Sequence, residues 1–163
     1  MLFRSLLRRL AAMGRAGDAQ IDAELARDHT NAGQRHAASC RASVPDAEHK
    51  AAAWQSLTGA SGLGIEEVVE IGYGFNRMEQ ADLLAGFTEK FFSQLPEIWA
   101  RHDGLLRVVL GKLLFPYSAA SAELLERVDT FLATPDLDPA MARVLIEGRD
   151  IVDKALRSRA LPN

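Results

Sequence analysis

The stretch LLAGFTEKFFSQLPEIW, residues 83–99, carries the longest aromatic stripe in the chain. Its apolar side chains recur mostly at intervals of three and four residues, and they are Leu84, Phe87, Phe91, Leu95, Ile98 and Trp99. Such spacing places side chains on one face of a helix, so the stretch predicts a helix with one buried face. Because Pro96 lacks a backbone N–H, we expect a kink or a new helix start at that residue.

The same periodicity extends along nearly the whole chain, and no segment shows the alternation typical of a strand. The sequence therefore predicts an all-α protein of roughly eight short helices in antiparallel order. We predict that Asp18 and Thr30 are N-caps and that Pro45 lies in the first turn of a helix. Asp138 is predicted to be the N-cap of the last helix, with Pro139 in its first turn. The first helix is predicted to have a stripe of Leu6, Leu7, Leu10 and Met13. Periodicity alone fits either a globular bundle or a solenoid of helix pairs.

Composition excludes several classes of protein. The chain has 163 residues, of which 48% are hydrophobic, and this balance is typical of one soluble globular domain. The net charge of −3 is spread without a long basic block, so we expect no nucleic-acid partner. Charges such as Arg107 and Lys112 interrupt the apolar runs, so we expect no membrane span. With Cys40 as its single cysteine, the chain cannot form an internal disulfide, which favours a cytoplasmic location.

Three residues near the first third of the chain have the spacing of metal ligands. His36 and Cys40 are four residues apart, and His29 lies seven residues before His36. One helix face could present all three to a metal ion. No carboxylate or second thiol completes the set, and Thr30 is expected to start its helix only after His29, so an ordinary exposed helix face is the better interpretation. A small helical metal protein remains an alternative hypothesis that elemental analysis would test.

No other pattern predicts catalysis. Ser61 lies in the glycine-rich segment GASGLG, residues 59–64, which has neither the G-x-S-x-G pattern nor the lysine of a phosphate loop. His49 and His102 are isolated and are interpreted as solvent-facing or capping residues. The carboxylates fall on polar helix faces opposite apolar stripes. We therefore predict no catalytic, cofactor-binding or metal-binding residue in this chain.

Four strings, taken in order, resemble a known family. Residues 28–33 carry D-x-T-x-x-G, and Lys50 precedes Trp54 in K-x-x-x-W. Residues 75–99 carry F-x4-Q-x2-L-L-x6-F-F-x6-W, and residues 145–156 read LIEGRDIVDKAL. Together they resemble the C-terminal helical domain of the aminopeptidase N family of zinc metallopeptidases, in its actinobacterial branch, over residues 6–160.

The resemblance implies an α-helical, solenoid-like domain of the HEAT or armadillo kind that closes over a separate catalytic domain of the same polypeptide. That catalytic domain would hold zinc and release N-terminal amino acids from peptide substrates, while the helical domain limits which substrates enter. The family's zinc site needs H-E-x-x-H and its substrate-amine site needs G-x-M-E-N, and neither string occurs in this sequence. We therefore expect the chain to be inactive alone and to hold no cofactor.

The first residues raise a separate question. The arginine-rich start without an acidic residue before Asp18 matches a mitochondrial presequence. We reject that interpretation, because the apolar stripe from Leu6 continues into the segment that resembles the family's helix. Leu-Phe-Arg-Ser at residues 2–5, after an alternative start codon, is what the end of a common sequencing adapter encodes. Residues 1–5 are therefore expected to be a non-native start and the chain a gene fragment, with a single domain at residues 6–160. The rival hypothesis is a free-standing helical scaffold that binds a peptide or partner helix.

Overall fold

The computed structural model describes residues 2–59 and 62–160, with side chains from Leu6 onward. Within these residues all regular secondary structure is helical, which confirms the predicted fold class. The chain divides into two compact units, the first ending at Leu83 and the second beginning at Leu84. The single domain at residues 6–160 stays a prediction. Met1 and Ser61 lie outside the described residues.

The first unit contains five α-helices in its described part, followed by a 3-10 turn at Met78–Gln80. They are α1 (Leu2–Ala12), α2 (Asp18–Leu25), α3 (Asn31–Ser43), α4 (Ala47–Thr58) and α5 (Ile65–Phe75). The second unit contains most of α6 (Ala81–Arg101), and then α7 (Gly104–Leu114), a 3-10 turn (Tyr117–Ala119), α8 (Ala122–Leu132) and α9 (Pro139–Ala160).

Two of the predicted helix caps are confirmed. The Thr30 hydroxyl accepts a hydrogen bond from the Gly33 N–H at 3.2 Å, at the start of α3. The Asp138 carboxylate accepts from the N–H groups of Ala140 and Met141, at 2.8 and 3.1 Å, at the start of α9. In both cases the side chain satisfies backbone donors that the first turn of a helix leaves without a partner.

Two other predicted features of the helix starts are wrong. The cap of α2 is Gly17, whose N–H donates to the Gln20 side chain at 3.0 Å, and Asp18 is the first residue of the helix. Pro45 lies before α4, because Asp46 caps that helix by accepting from the His49 N–H at 2.9 Å. At Pro96 no new helix starts, because α6 continues through it with buried side chains on both sides of the proline, and the alternative of a kink at that residue stays a prediction.

The buried face of α1 also differs from the prediction. Leu7 and Ala11 are buried, whereas Leu6 and Met13 are 51% and 54% exposed. Helix α1 packs on α3, and Leu7 and Ala11 share one apolar cluster with buried residues of that helix. Small side chains at such a contact let two helices approach closely, so Ala11 rather than the larger Met13 faces the core.

Helices α1, α3 and α5 run parallel in the first unit. Ser39 donates its hydroxyl to the carbonyl of Glu70, 31 residues later, and Arg8 on α1 pairs with the same Glu70 at 3.2 Å. Further along, the Gln80 amide donates to the carbonyls of Ala12 and Ser43, at 3.0 and 2.9 Å. Every second helix is thus parallel at a constant register, which is the packing expected of stacked helix pairs within this unit.

The α3 and α5 helices touch backbone to backbone near Gly74. A Cβ atom at this position would lie 2.3 Å from the carbonyl oxygen of Ser39 and 2.9 Å from the Cβ of Ala42. Glycine is therefore required by the close approach of the two helices. Neither neighbour is a flexible side-chain end, so the clash can be relieved only by moving a helix.

We expect Gly74→Ala to lower the free energy of unfolding by about 1–3 kcal/mol, the usual cost of overpacking. The matched control is Gly86→Ala in α6, where an added Cβ meets nothing within 4 Å. That change should stabilise the protein by about 0.5–1 kcal/mol, because alanine is the better helix former. Urea unfolding of both variants measures the difference, and a neutral Gly74→Ala would contradict the described contact.

In the second unit α9 packs against α7 and α8. Its inner face contributes Leu145 and Val152, both almost fully buried. The Phe115 ring lies against Gly148, where an added Cβ would be 2.5 Å from a ring carbon. The same ring packs edge-on against Phe91 with centroids 5.7 Å apart. Both rings are fully buried, so this aromatic contact is part of the unit's core.

Candidate functional site

A groove of about 540 Å³ lies on the first unit, between α2 and α4. Its lining residues are Asp18 and Asp22 of α2, Ala38, Arg41 and Ala42 of α3, Glu48, His49, Ala52, Ala53 and Ser56 of α4, and Ile71 of α5. The small side chains of α3 and α4 leave the space open. Acidic groups outnumber basic ones around it, so the groove suits a neutral or cationic group better than an anion.

His49 joins the two helices that border the groove. Its Nδ1 lies 2.6 Å from Oδ2 of Asp46, and its Nε2 lies 3.3 Å from Oδ1 of Asp18. Burial by itself lowers the pKa of His49, but the hydrogen bonds with Asp18 and Asp46 raise it above its ordinary value overall. In return, although burial alone raises the pKa of Asp46, the hydrogen bonds from His49 lower it overall. His49 therefore bridges Asp18 to Asp46, the residue that caps α4, and it is not itself the capping residue.

Arg41 holds the same edge from α3. Its guanidinium lies 3.5 Å from Asp18 through Nε, and its Nη2 hydrogen-bonds to Asp22. Arg41 and His49 therefore converge on Asp18 at the start of α2. This cluster as a whole has no signature in the sequence, because its members come from or flank three different helices. The only local signal was the spacing of Asp46 and His49, three residues apart at a helix start.

The three candidate metal ligands come together only in part. Cys40 Sγ lies 3.4 Å from Nε2 of His36, whereas the exposed His29 precedes Thr30, the cap of α3. Cys40 is fully buried, and burial raises the pKa of its thiol to about 11. A metal ion needs a thiolate, so this environment does not suit zinc. Among residues 2–59 and 62–160, no three histidine, cysteine or carboxylate side chains are grouped to hold a metal.

Comparison with known proteins shows which family this chain resembles. Residues 2–154 match the family described as the ERAP1-like C-terminal domain. The chain belongs to this family. It is also 38% identical over 160 residues to Aminopeptidase N of Streptomyces lividans, a match that covers 96% of the chain. The match covers 18% of that relative, so the chain spans less than a fifth of its length. The resemblance inferred from the motifs is thus confirmed.

In this ERAP1-like C-terminal domain, the motif D-x-T-x-x-G builds a helix start. Asp28 accepts from the hydroxyl of Thr30 at 2.6 Å and from its N–H at 3.2 Å. A Cβ on Gly33 would lie 2.0 Å from the carbonyl oxygen of Asp28, so only glycine fits. The motif therefore sets the turn between α2 and α3 and makes no chemical site.

The motif K-x-x-x-W lies in the core of the first unit. Lys50 is fully buried, and its ammonium donates to the carbonyls of Ala42, Gly74 and Phe75 at 2.7, 3.2 and 3.1 Å. Trp54 packs on Phe75 with ring centroids 5.8 Å apart. Burial lowers the pKa of Lys50 to about 8. This lysine binds the C-terminal ends of α3 and α5 and has no access to a substrate.

The third motif of the ERAP1-like C-terminal domain is also structural. Phe91, Phe92 and Trp99 are buried along α6, and Gln80 holds the ends of α1 and α3. The residues that carry the resemblance therefore maintain the fold. None of the helices in the described part of the chain has the length and apolar character needed to cross a bilayer.

Proposed function

We propose that this chain is the helical part of a zinc aminopeptidase, in which it limits substrate access to the catalytic domain of the same polypeptide. The observation that carries the proposal is the match of residues 2–154 to the ERAP1-like C-terminal domain. The chain matches less than a fifth of the length of an Aminopeptidase N. This supports a longer protein in which catalysis and substrate access belong to different domains.

On this proposal the catalytic domain supplies zinc, the attacking water and the site for the substrate's amine. The strings H-E-x-x-H and G-x-M-E-N are absent from the sequence, so no residue of this chain takes those roles. The chain contributes shape: its helices would close one side of the route by which a peptide's N-terminus reaches the zinc. The lone, buried Cys40 supports a reducing, cytoplasmic setting for this peptide breakdown.

Exposed apolar side chains on α1 and directly after it support a docking role for the first unit. Leu6 is 51% exposed and Met13 is 54% exposed, although α1 is otherwise packed against α3. Exposed apolar groups of this size gain stability when another protein surface covers them. We propose that the catalytic domain covers this face.

The direct experiment replaces the matching segment of the Streptomyces Aminopeptidase N with this chain. We expect the chimera to cleave short peptides, but to leave the N-terminus of a stably folded protein intact. Deleting the segment should raise the rate on the folded substrate relative to the short one. The isolated chain, with or without added zinc, should release no amino acid from an aminoacyl-arylamide.

Two results would contradict the proposal. A chimera that cleaves folded and short substrates in the same ratio as the deletion variant would exclude a role in access. Turnover by the isolated chain that persists through repurification would show catalytic residues that the sequence does not reveal.

A second candidate function is a scaffold that binds a peptide or partner helix. The groove between α2 and α4 favours it, because its 540 Å³ could hold several side chains. A peptide-display selection against the isolated chain distinguishes the two candidates. Enriched peptides that lose binding when Ala52→Trp fills the groove would support the scaffold.

A further inference from the structure

The bridging histidine of the first unit has a geometry that only one protonation state satisfies. Both ring nitrogens of His49 face carboxylates, Asp46 at 2.6 Å and Asp18 at 3.3 Å. A neutral imidazole has one N–H, so it can donate to one carboxylate while its second nitrogen directs a lone pair at the other. The imidazolium donates to both. We call Asp18, His49 and Asp46 the histidine clasp.

The histidine clasp connects α2 with α4, and these two helices share few other contacts. Asp46 caps α4, and Asp18 is the first residue of α2. In the described structure Ile21 is the single residue of α2 that is buried, and Leu25 packs partly buried against the same apolar cluster, so apolar packing holds this eight-residue helix through two side chains. Polar contacts therefore contribute a large share of what keeps α2 in place.

We propose that the histidine clasp is a pH-dependent contact. In its protonated form it holds α2 against α4 and so sets the width of the groove between them. With the proton on His49, both carboxylates are satisfied and α2 is held. When the proton leaves, one hydrogen bond is lost and Asp18 faces a lone pair. The helix then loosens and the groove widens.

Other charged groups around the ring set the direction of the effect. Arg41 of α3 also pairs with Asp18 and Asp22, so α2 keeps one attachment after His49 loses its proton. Glu48 is the remaining acidic group that lines the groove on α4. The net effect of the hydrogen bonds is a raised pKa for His49. The stabilisation is therefore complete below the ordinary histidine pKa of about 6.5, and it is lost as the pH rises through the higher pKa of the folded state.

An NMR titration of the full chain tests the proposal. We expect the ring of His49 to titrate above pH 6.5 and the backbone amides of α2 to shift with the same midpoint. Hydrogen-exchange protection of those amides, corrected for the intrinsic effect of pH, should fall about two- to fivefold across the transition. His102 is the internal reference, because burial lowers its pKa and Arg101 acts in the same direction.

Three variants give the control set. Asp18→Asn should lower the midpoint of His49 and abolish its coupling to α2, whereas Glu48→Gln should preserve the coupling. His49→Gln should leave α2 loosely held at every pH. A midpoint at or below that of an ordinary histidine would overturn the proposal, and so would α2 amides that do not respond while His49 titrates. None of these results depends on the aminopeptidase role.

Discussion

Replacing Lys50 with methionine is expected to lower the free energy of unfolding by about 2–4 kcal/mol, because it leaves buried carbonyl acceptors without their donor. Methionine fills similar space but donates no hydrogen bond. The carbonyls of Ala42, Gly74 and Phe75 would lose the donor that they share. The Phe75 carbonyl keeps a second donor, the Arg77 N–H at 3.0 Å, so the loss falls on the carbonyls of Ala42 and Gly74. Each buried acceptor left without a donor costs about 1–3 kcal/mol, partly offset because the ammonium no longer has to be desolvated.

The parallel helices explain why a buried lysine is tolerated here. The negative ends of the α3 and α5 dipoles meet where these helices end side by side, and this alignment is unfavourable by itself. The ammonium of Lys50 lies between the two ends and also faces the Phe75 ring at 5.8 Å. Its charge is thus neutralised by helix ends rather than by a carboxylate.

The contribution of Lys50 should depend on pH in a defined direction. Burial lowers the pKa of Lys50 from 10.5 to about 8, with Arg77 acting in the same direction. Between these values the unfolded chain binds more protons than the folded one, so stability rises with pH. The stability difference between the wild type and Lys50→Met should therefore grow as the pH is raised from 7.5 to about 9.5.

Chemical unfolding at several pH values measures both effects. The matched control is Lys154→Met, on the exposed side of α9, which should change stability by less than about 0.5 kcal/mol. If Lys50→Met proves as mild as this control, the carbonyls of Ala42 and Gly74 must find other donors and the role assigned to Lys50 is wrong.

The second large effect is expected in the second unit, at the inner face of α9. Leu145 is fully buried, and truncation to alanine should cost about 2–5 kcal/mol through lost transfer energy and the cavity left behind. Val152→Asp should be at least as damaging, because it places a charge at a site that is 1% exposed. Against a total stability of about 5–15 kcal/mol, either change should lower the melting temperature sharply.

Exposed positions on the same helix provide the comparison. Glu147 pairs with Lys112 of α7 at 2.6 Å, but both side chains are nearly half exposed, so Glu147→Ala should cost less than about 1 kcal/mol. Lys154→Ala should be close to neutral. If the two exposed substitutions lowered the melting temperature as much as Leu145→Ala, both faces of α9 would have to be covered.

Local interactions account for what could be predicted from the sequence. The helical class follows from apolar spacing, and the starts of α3 and α9 follow from Thr30 and Asp138, each of which caps a turn within three residues of itself. The missing zinc and amine motifs limit the chemistry of the chain, because such sites need particular residues at particular spacings. The order of the family motifs identified the family without reference to any contact.

Contacts between distant residues were decided only by the tertiary structure. The buried face of α1 depends on α3, so no pattern within α1 could show that Ala11 faces inward and Met13 outward. The 31-residue register of the parallel helices has no counterpart in a visible sequence repeat. The contacts that set it are hydrogen bonds to backbone carbonyls and the close approach of the helices. Lys50 and His49 look like surface residues in sequence. They acquire their roles because folding brings helix ends and carboxylates from other elements to them, and such encounters depend on the packing of whole helices.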